Sequence, residues 1–316
     1  MKIISSTDAW DFSDPVVFSL GMFDGVHLGH REIINKLLLF ARREHRPSVL
    51  LTFNPHPRQF LSGACHWKYL TSLSEKADHL SNLGVDYMIV QSFDEAFASL
   101  SPEHFVGDIL IKKLNICSLI IGYDHHLGRD KKGSYTHLKT LSLDYGFILE
   151  QQPAYRLCHR AVSSTNIKKA LSERQLTWAN AALGRPYSFY GIVIHGNQLG
   201  RQLNFPTANL AISSEKFLPA KGVYAVKVFL EEKEFIGMLN IGNRPTINSK
   251  ETRIEVHIFD FAKEIYGHTL QLQLIAPLRK EKKFSSLADL KNQLQKDKEI
   301  TRKILHDLMI SQKAIK

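Results

Sequence analysis

The pattern of hydrophobic residues changes near residue 184, and this change limits the folds open to the chain. Before it, continuous apolar runs are separated by helical patterns over about 31–45, 74–83 and 102–114. The runs are VVFSLGMF (16–23), SVLLTF (48–53), DYMIVQSF (86–93) and SLIIGYD (118–124). Apolar strands that alternate with helices predict an α/β fold, with a parallel sheet covered on both faces and ligands at the carboxyl ends of its strands. Those ends place residues 21–30, 53–58 and 122–133 along one rim.

After residue 184 the apolar residues alternate with polar ones, which is typical of half-buried strands. The segments are YGIVIHG, NFPTANLAI, GVYAVKVFL, EFIGMLNIG, TRIEVHIFDF and TLQLQLIAPL. Six such strands predict a small closed antiparallel barrel, and the helical spacing over 285–309 predicts a long helix packed against it. Glycine and proline in LGRPYS (183–188) place the boundary there. We therefore expect two domains, 1–183 and 184–316.

Composition narrows the class of protein. Hydrophobic residues make up 44% of the chain and charged residues 23%, as in folded globular proteins. Cys65, Cys117 and Cys158 are too few and too scattered for a disulfide framework. With no secretory pattern at the amino terminus and no run long enough to span a bilayer, a cytosolic protein is expected. The net charge of +10 suits nucleic acid, an anionic membrane or small phosphorylated ligands; because the basic residues are dispersed, we favour the last.

The segment GMFDGVHLGH (21–30) joins the first strand to a helix that is expected to begin near His30. Gly21, Gly25 and Gly29 allow a tight turn, and the helix dipole favours phosphate at such a position. His27 and His30 can donate to a phosphoryl group and stabilise charge that builds on it. The alternatives are a glycine turn with two surface histidines, or a zinc site, which would lack a second pair of ligands.

A second segment, AVSSTNIKKAL (161–171), places three hydroxyl residues before an amphipathic helix. Ser163, Ser164 and Thr165 are N-cap candidates and possible donors to phosphate, and Lys168 adds positive charge one turn later. Taken alone, the segment is an ordinary capped helix.

Together the two segments resemble the nucleotidylyltransferase superfamily, in which an HxGH turn and an ISSTxxR turn lie on opposite sides of an ATP site. Lys168 stands where that motif ends in arginine, which keeps the charge but loses the bidentate fork. The resemblance implies catalytic roles for His27 and His30. It implies ATP binding by Gly21, Phe23, Asp24, Gly25, Gly29, Ser163, Ser164, Thr165 and Lys168.

Two further segments resemble the flavin side of bacterial FAD synthetases, the adenylyltransferase half of bifunctional riboflavin kinase/FMN adenylyltransferases. They are LTFNPHPRQF (51–60) and GYDHHLGRDKKG (122–133). His125 and Leu127 stand where the family usually carries aromatic residues. The plain alternatives are a proline-rich strand end and a basic surface loop. The resemblance implies flavin binding by Asn54, His56, Pro57, Arg58 and Asp124.

The second half has no Walker-type loop, but HGNQLGRQLNFPTANL (195–210) brings two oxygen-bearing side chains together. Thr207 and Asn209 lie one strand alternation apart and therefore point the same way. Such neutral oxygens suit magnesium that bridges ATP phosphates. The alternative is two polar residues on the wet face of a strand.

In TRIEVHIFDF, Glu255 shares a face with Arg253 and His257, opposite an apolar face. A carboxylate at the mouth of a barrel can act as a general base, although a solvated glutamate is the plain alternative.

GxxxGRxLxFPTAN, NIGNRPT (240–246), EIYG (264–267) and LRKEKKF (278–284), in this order, resemble riboflavin kinase. The resemblance implies that Glu255 activates the riboflavin 5′-hydroxyl, that Thr207 and Asn209 hold Mg²⁺, and that Arg279 and Glu281 lie near the flavin. It implies ATP binding by Gly196, Gly200, Arg201, Pro206, Thr207 and Asn209. Asn204 stands where relatives usually carry glycine.

The sequence thus predicts two ATP-dependent steps, riboflavin to FMN and then FMN to FAD with release of pyrophosphate. FMN and FAD are substrate and product rather than redox cofactors, and neither nucleic acid nor membrane is an expected partner. One alternative is a riboflavin kinase whose first half is a weakened or sensory nucleotide-binding domain. A nucleic-acid-binding protein, suggested by the charge, is the other. The sequence does not indicate an oligomeric state.

Overall fold

The computed structural model describes residues 1–62, 67–124, 133–196, 200, 204–243 and 252–313. These residues form two compact units, Met1–Asn166 and Ile167–Lys316. The division falls inside one helix, Ser164–Ser172, whereas the sequence pattern placed the boundary at residue 183.

A six-stranded parallel sheet forms the centre of the first unit, with the order β1-β4-β3-β2-β5-β6. Its strands are β1 (Lys2–Ile4), β2 (Val16–Leu20), β3 (Ser48–Phe53), β4 (Tyr87–Gln91), β5 (Ile116–Gly122) and β6 (Ile148–Gln152). The predicted parallel sheet is confirmed, and its four central strands are the four apolar runs. The edge strands β1 and β6 were not predicted, because KII is short and ILEQQ ends in polar residues.

Helices cover both faces of this sheet. They are α1 (Leu28–Glu44), α2 (Pro57–Ser62), α3 (Leu73–Leu83), α4 (Glu95–Ala98), α5 (Pro102–His104) and α6 (Tyr135–Tyr145). The segment Phe105–Lys113, predicted as part of an ordinary helix, is a π-helix. Along β2, Phe18 packs into one cluster of buried residues and Val17 into another with Leu37 of α1. Core side chains on both faces are the reason that the strands read as unbroken apolar runs.

A short hairpin and a helix end the first unit and lead into the second. The hairpin consists of β7 (Arg156–Leu157) and β8 (Arg160–Ala161), and α7 (Ser164–Ser172) and α8 (Leu176–Leu183) follow it. The hairpin turn, Cys158 and His159, has both φ angles positive, as a tight two-residue turn requires.

The second unit is a closed antiparallel barrel with the strand order β10-β13-β12-β11-β14-β9. Its strands are β9 (Tyr187–Ile194), β10 (Ala208–Ala211), β11 (Gly222–Leu230), β12 (Lys233–Asn243), β13 (Thr252–Ile258) and β14 (Thr269–Arg279). Helix α9 (Leu287–Lys313) packs against β11, β12 and β14. Ile254, Val256 and Ile258 are buried on one face of β13. The predicted barrel and its long carboxy-terminal helix are confirmed.

Candidate active sites

The turn between β2 and α1 adopts a strained conformation. Phe23 (φ 47°) and Val26 (φ 39°) lie in the left-handed region, although neither is glycine, and Gly25 (φ 89°) separates them. A non-glycine residue costs roughly 1–2 kcal/mol in this region, so contacts elsewhere must hold the turn.

Asp24 supplies several of those contacts. Its side chain is 2% exposed, and Oδ1 accepts from the backbone NH of Leu70 at 2.7 Å and of Thr71 at 3.2 Å. The Thr71 hydroxyl accepts from the NH of Gly25 at 3.0 Å. The NH of Val26 donates to the carbonyl of Phe23 at 3.0 Å. The backbone NH groups of residues 25 and 26 are therefore engaged within the protein.

His27 and His30 form one stacked pair with ring centroids 3.5 Å apart. His27 is 4% exposed and caps α1, since its Nδ1 accepts from the NH of His30 at 3.2 Å. This bond assigns the proton of a neutral His27 to Nε2, which is then the nitrogen able to donate to a phosphoryl oxygen. A Cβ atom on Gly29 would lie 3.2 Å from the carbonyl oxygen of Val162, so the turn and the second segment approach closely.

The second predicted segment contacts this turn directly. The Ser164 hydroxyl donates to the carbonyl of Asp24 at 2.8 Å. Ser163 accepts from the NH of Asn166 at 3.2 Å and therefore acts as the predicted N-cap. Thr165 is exposed in the first turn of α7, and Lys168 lies one turn further along that helix, in the second unit.

The segment after β3 carries the predicted flavin residues of the first unit. Asn54 and Arg58 are exposed, and α2 begins at Pro57. The His56 NH donates to the Tyr69 hydroxyl at 3.0 Å, and its ring lies 4.3 Å from that of Trp67. Asp124 is exposed just beyond β5, while His125 and Leu127 lie outside the described residues. The ends of β3 and β5 share one edge of the sheet with the end of β2, as the sequence pattern predicted.

The sequence analysis did not identify Lys76 as a residue of this site. It is 3% exposed on α3, and its Nζ donates to the Thr52 hydroxyl at 2.9 Å. Burial lowers the pKa of Lys76 from 10.5 to about 8, although attraction to Asp24 opposes the shift. The helical spacing of Lys76 with Leu80 and Leu83 was the available signal, because it places the lysine on the apolar side of α3.

In the second unit a cavity of about 400 Å³ opens between the ends of three strands and the segment 261–266. Predicted ATP-binding residues contribute to its wall: Gly196, Pro206, Thr207 and Asn209. A Cβ atom on Gly196 would collide with the Asn209 amide, and one on Gly200 with the Phe205 carbonyl. Arg201 lies outside the described residues.

Thr207, Asn209, Arg253 and Glu255 form one polar cluster beside this cavity. Asn209 is the register partner of Glu255, so β10 and β13 bring the two together. The Arg253 guanidinium lies 2.7 Å from Glu255 Oε1, and its Nε donates to Asn209 Oδ1 at 3.1 Å. The Thr207 hydroxyl lies 3.4 Å from the same Glu255 oxygen. Burial raises the pKa of Glu255, while Arg253 and then Thr207 oppose the rise.

Asn204 and His257 shape the loop that carries Thr207. Asn204 has φ 60°, a conformation that asparagine tolerates better than most residues. His257, expected to share the polar face with Glu255, is only 6% exposed and its Nδ1 lies 2.7 Å from the Pro206 carbonyl. The buried His257 ring therefore holds the loop through the Pro206 carbonyl.

Arg279 is the last residue of β14, and Glu281 lies two residues beyond it. Glu281 Oε1 accepts from the NH of Asn243 at 3.3 Å, and a Cβ atom on Gly242 would collide with it. Glu281 therefore contacts β12, which pairs with β13, the strand that carries Glu255. Arg279 is paired with Asp297 of α9 at 2.8 Å, a partner that was not predicted.

The fold and these two clusters define a two-domain, nucleotide-using transferase. The FAD synthetase family model matches residues 11–166, and the riboflavin kinase model matches residues 183–305. A bifunctional riboflavin kinase/FMN adenylyltransferase of Haemophilus influenzae is 40% identical over 89% of this chain and 91% of its own length. The chain therefore belongs to the bifunctional riboflavin kinase/FMN adenylyltransferase family.

Another curated relative has the same description, and a solved structure shares the fold. The Escherichia coli K12 protein of the same description is 36% identical over 89% of this chain and 90% of its own. A crystal structure described as a macrolide-efflux protein from Streptococcus pneumoniae is 31% identical, with a TM-score of 0.86 over 95% of this chain and 98% of that one. That structure supports the fold; its described activity belongs to that protein. In this chain, none of the helices in the described ranges has the length and hydrophobicity needed to cross a membrane.

Proposed function

We propose that the chain makes FMN and FAD in two consecutive ATP-dependent reactions. Riboflavin and ATP give FMN and ADP in the barrel unit, and FMN and ATP give FAD and pyrophosphate in the parallel-sheet unit. One observation carries the proposal: the chain holds both a FAD synthetase domain and a riboflavin kinase domain.

In the kinase step, Glu255 takes the proton of the riboflavin 5′-hydroxyl while that oxygen attacks the γ-phosphorus of ATP and ADP leaves. A general base must be ionised; burial raises the pKa of Glu255, and the neighbouring Arg253 opposes this rise and so favours the charged form. Arg279 and Glu281 are proposed to orient the flavin. Gly196 and Gly200 are proposed to lie beside the phosphates; both positions require glycine, because a Cβ atom would collide with the Asn209 amide or the Phe205 carbonyl.

The donor atoms near the kinase cavity fit a magnesium ion. They are the hydroxyl of Thr207, the amide oxygen of Asn209 and the carboxylate of Glu255, all hard oxygen ligands. Thr207 and Asn209 would hold the ion together with ATP. When bound, magnesium would neutralise negative charge on the phosphates.

In the adenylyl step, a phosphate oxygen of FMN attacks the α-phosphorus of ATP, the bond to the β-phosphate breaks and pyrophosphate leaves. His27 and His30, at the amino-terminal end of α1, are proposed to donate to the α-phosphoryl oxygens as charge builds there. Ser164 supports the turn through the Asp24 carbonyl. Asn54, His56, Arg58 and Asp124 are proposed to bind FMN.

The decisive experiment is incubation of the purified chain with riboflavin, ATP and Mg²⁺, followed by chromatography of the flavins. FAD should accumulate after FMN. His30→Ala should stop synthesis at FMN. Glu255→Gln should slow FMN formation by about 10²–10⁴-fold, the usual contribution of a general base, yet still convert supplied FMN to FAD. If Glu255→Gln abolished both reactions in a folded protein, the two sites would not be separate.

A kinase with a sensory first half is the second candidate, because Lys168 replaces the arginine of the second motif. The stacked histidines and the Ser164 contact favour a working site instead. FMN that accumulates without FAD would support the sensory alternative.

A further inference from the structure

Lys76 is a buried cation in the first unit for which the reaction scheme above has no role. Lysine is almost never fully buried unless it is paired, since its ammonium loses its hydration. Here only 3% of the residue is exposed, and Nζ donates to the Thr52 hydroxyl at 2.9 Å. Burial of the Lys76 ammonium is therefore energetically costly, which suggests that it has a specific role.

The hydrogen bond from Lys76 determines the direction in which the Thr52 hydroxyl donates its proton. An ammonium can only donate, so Thr52 Oγ1 must accept from it and the single hydroxyl proton must point elsewhere. That proton goes to the carbonyl of Met22, at 3.2 Å, in the turn between β2 and α1. Thr52 is fully buried, so water does not compete for the proton. Lys76 therefore fixes the direction of a hydrogen bond that holds the turn.

Lys76 also acts on the turn through charge. The attraction of Asp24 favours its protonated form, and Asp24 is the residue whose side chain and carbonyl anchor the turn to residues 70 and 71 and to Ser164. The adjacent Glu75 on α3 is engaged differently, because its carboxylate accepts from the NH of Ser72 in a capping box.

We propose that Lys76 is a positioning residue of the adenylyltransferase site. Through Thr52 and Asp24 it holds residues 22–26 in their strained conformation, which presents His27 and the start of α1 to the ATP phosphates. This inference rests on the proposed adenylyl transfer. A displacement of about 1 Å in such groups can cost about 10²-fold in rate, so loss of the ammonium should be visible in kinetics.

The ammonium should also give the reaction a pH signature. Below pH 8 Lys76 is charged and both effects operate. Above pH 8 the neutral amine can accept as well as donate, so the Thr52 proton is no longer forced toward Met22, and Asp24 loses its counter-charge. Adenylylation should therefore fall as pH rises through about 8.

The test compares Lys76→Met, which keeps the length of the side chain, with Lys112→Met, which removes an exposed cation of the same unit. Conversion of FMN to FAD is measured from pH 6.5 to 9.5, and riboflavin kinase activity is measured in the same samples. We expect Lys76→Met to lose about 10–100-fold in kcat/KM for ATP in adenylylation and to lose the fall above pH 8. Lys112→Met and the kinase activity of both variants should be unchanged. Adenylylation by Lys76→Met at the wild-type rate, with the wild-type pH profile, would overturn the proposal.

A second pair of variants tests the hydrogen bond itself. Thr52→Ser keeps the hydroxyl and should retain adenylylation, whereas Thr52→Val removes it and should lose activity to a similar extent as Lys76→Met. Equal activity of Thr52→Ser and Thr52→Val would contradict the inferred role of Thr52. If Lys76→Met and Thr52→Val both fail to fold, the unsubstituted chain decides: an adenylylation rate that does not fall near pH 8 refutes the proposal.

The failure of the proposed function would look different. In that case the unsubstituted chain would form no FAD at any pH. ATP binding to the unsubstituted chain and to Lys76→Met, measured by calorimetry, would then test whether Lys76 positions the turn. Equal affinities would refute it.

Discussion

The pairing of Arg279 with Asp297 allows a quantitative prediction about the kinase unit. Arg279 is the last residue of β14, and its Nε donates to Asp297 Oδ2 on α9 at 2.8 Å. The side chain of Asp297 is 2% exposed, and its other oxygen accepts from Gln293 at 2.9 Å. Asp297→Ala would leave the guanidinium of Arg279 without its buried acceptor.

The expected cost follows from these exposures. Removal of one partner from a buried ion pair destabilises a protein by about 3–5 kcal/mol, because the remaining charge is uncompensated. The Arg279 side chain is 20% exposed, so water can solvate part of its charge, and we expect about 2–4 kcal/mol. Asp297→Asn keeps an acceptor oxygen and should cost less, about 1–2 kcal/mol.

Asp297→Ala should also weaken the use of riboflavin more than the use of ATP. Arg279 is proposed to orient the flavin, and an unpaired guanidinium can turn away from it. Asp297→Ala should therefore raise KM for riboflavin, with little change in KM for ATP, and Asp297→Asn should restore part of the loss. Conversion of supplied FMN to FAD should not change.

The assay is urea inactivation of the kinase reaction, together with its steady-state kinetics. Glu299→Ala is the matched control, because Glu299 is an exposed acid on α9 whose hydrogen bond to Gln295 is worth at most about 0.5 kcal/mol. Asp297→Ala would refute the reasoning if its inactivation midpoint matched that of Glu299→Ala and its KM for riboflavin stayed at the wild-type value.

Three further predictions concern the two sites. Ser164→Ala removes the 2.8 Å bond to the Asp24 carbonyl and should slow adenylylation about 10-fold, the equivalent of one hydrogen bond, with kinase activity as the internal control; an unchanged rate of FAD formation would contradict this. Arg253→Met removes the charge that opposes the raised pKa of Glu255, so kinase activity should be lost at a higher pH on the acid side; an acid limb at the wild-type pH would exclude Arg253 from this role. Between pH 8 and 10.5 the unfolded state holds a proton on Lys76 that the folded state has released, so the free energy of unfolding of the first unit should rise with pH. The rise should be absent in Lys76→Met; a rise of the same size in that variant would assign it to other groups.

Hydrophobic pattern alone predicted most of the fold. The apolar runs of the first half form the central strands of the parallel sheet, because strands buried on both faces are apolar throughout. The alternating segments of the second half form the barrel, because strands buried on one face alternate apolar and polar residues. The edge strand β6 was not predicted, because an edge strand needs fewer apolar residues and ILEQQ contains only two. Phe105–Lys113 was predicted as an ordinary helix because π-helices are rare, so a helical pattern is assigned to an α-helix by default.

The candidate sites were predicted unevenly for a related reason. The sequence singled out the histidine turn, the serine segment, Thr207 and Glu255 one by one, and the structure shows that Ser164 contacts the turn and that Thr207 lies beside Glu255. The spacing of residues within a motif does not indicate which of their side chains are buried. The ATP contact expected of Asp24 stays a prediction; the structure adds that its buried carboxylate accepts from the backbone NH groups of Leu70 and Thr71.

Lys76 and Asp297, two buried charged residues that the sequence analysis did not single out, share a signal that the sequence does contain. Each stands at helical spacing among the apolar residues of an amphipathic helix: Lys76 with Leu80 and Leu83, and Asp297 with Leu294 and Leu305. A charge on an apolar face must meet an opposite charge or a polar partner, so its position points to a buried interaction. Glu75 shows the necessary restriction, because it is also buried but its carboxylate is used in the cap of its own helix. Once residues that cap helices are set aside, such charges identify partners: Asp24 through Lys76 and Arg279 through Asp297, and both partners belong to the sites proposed here.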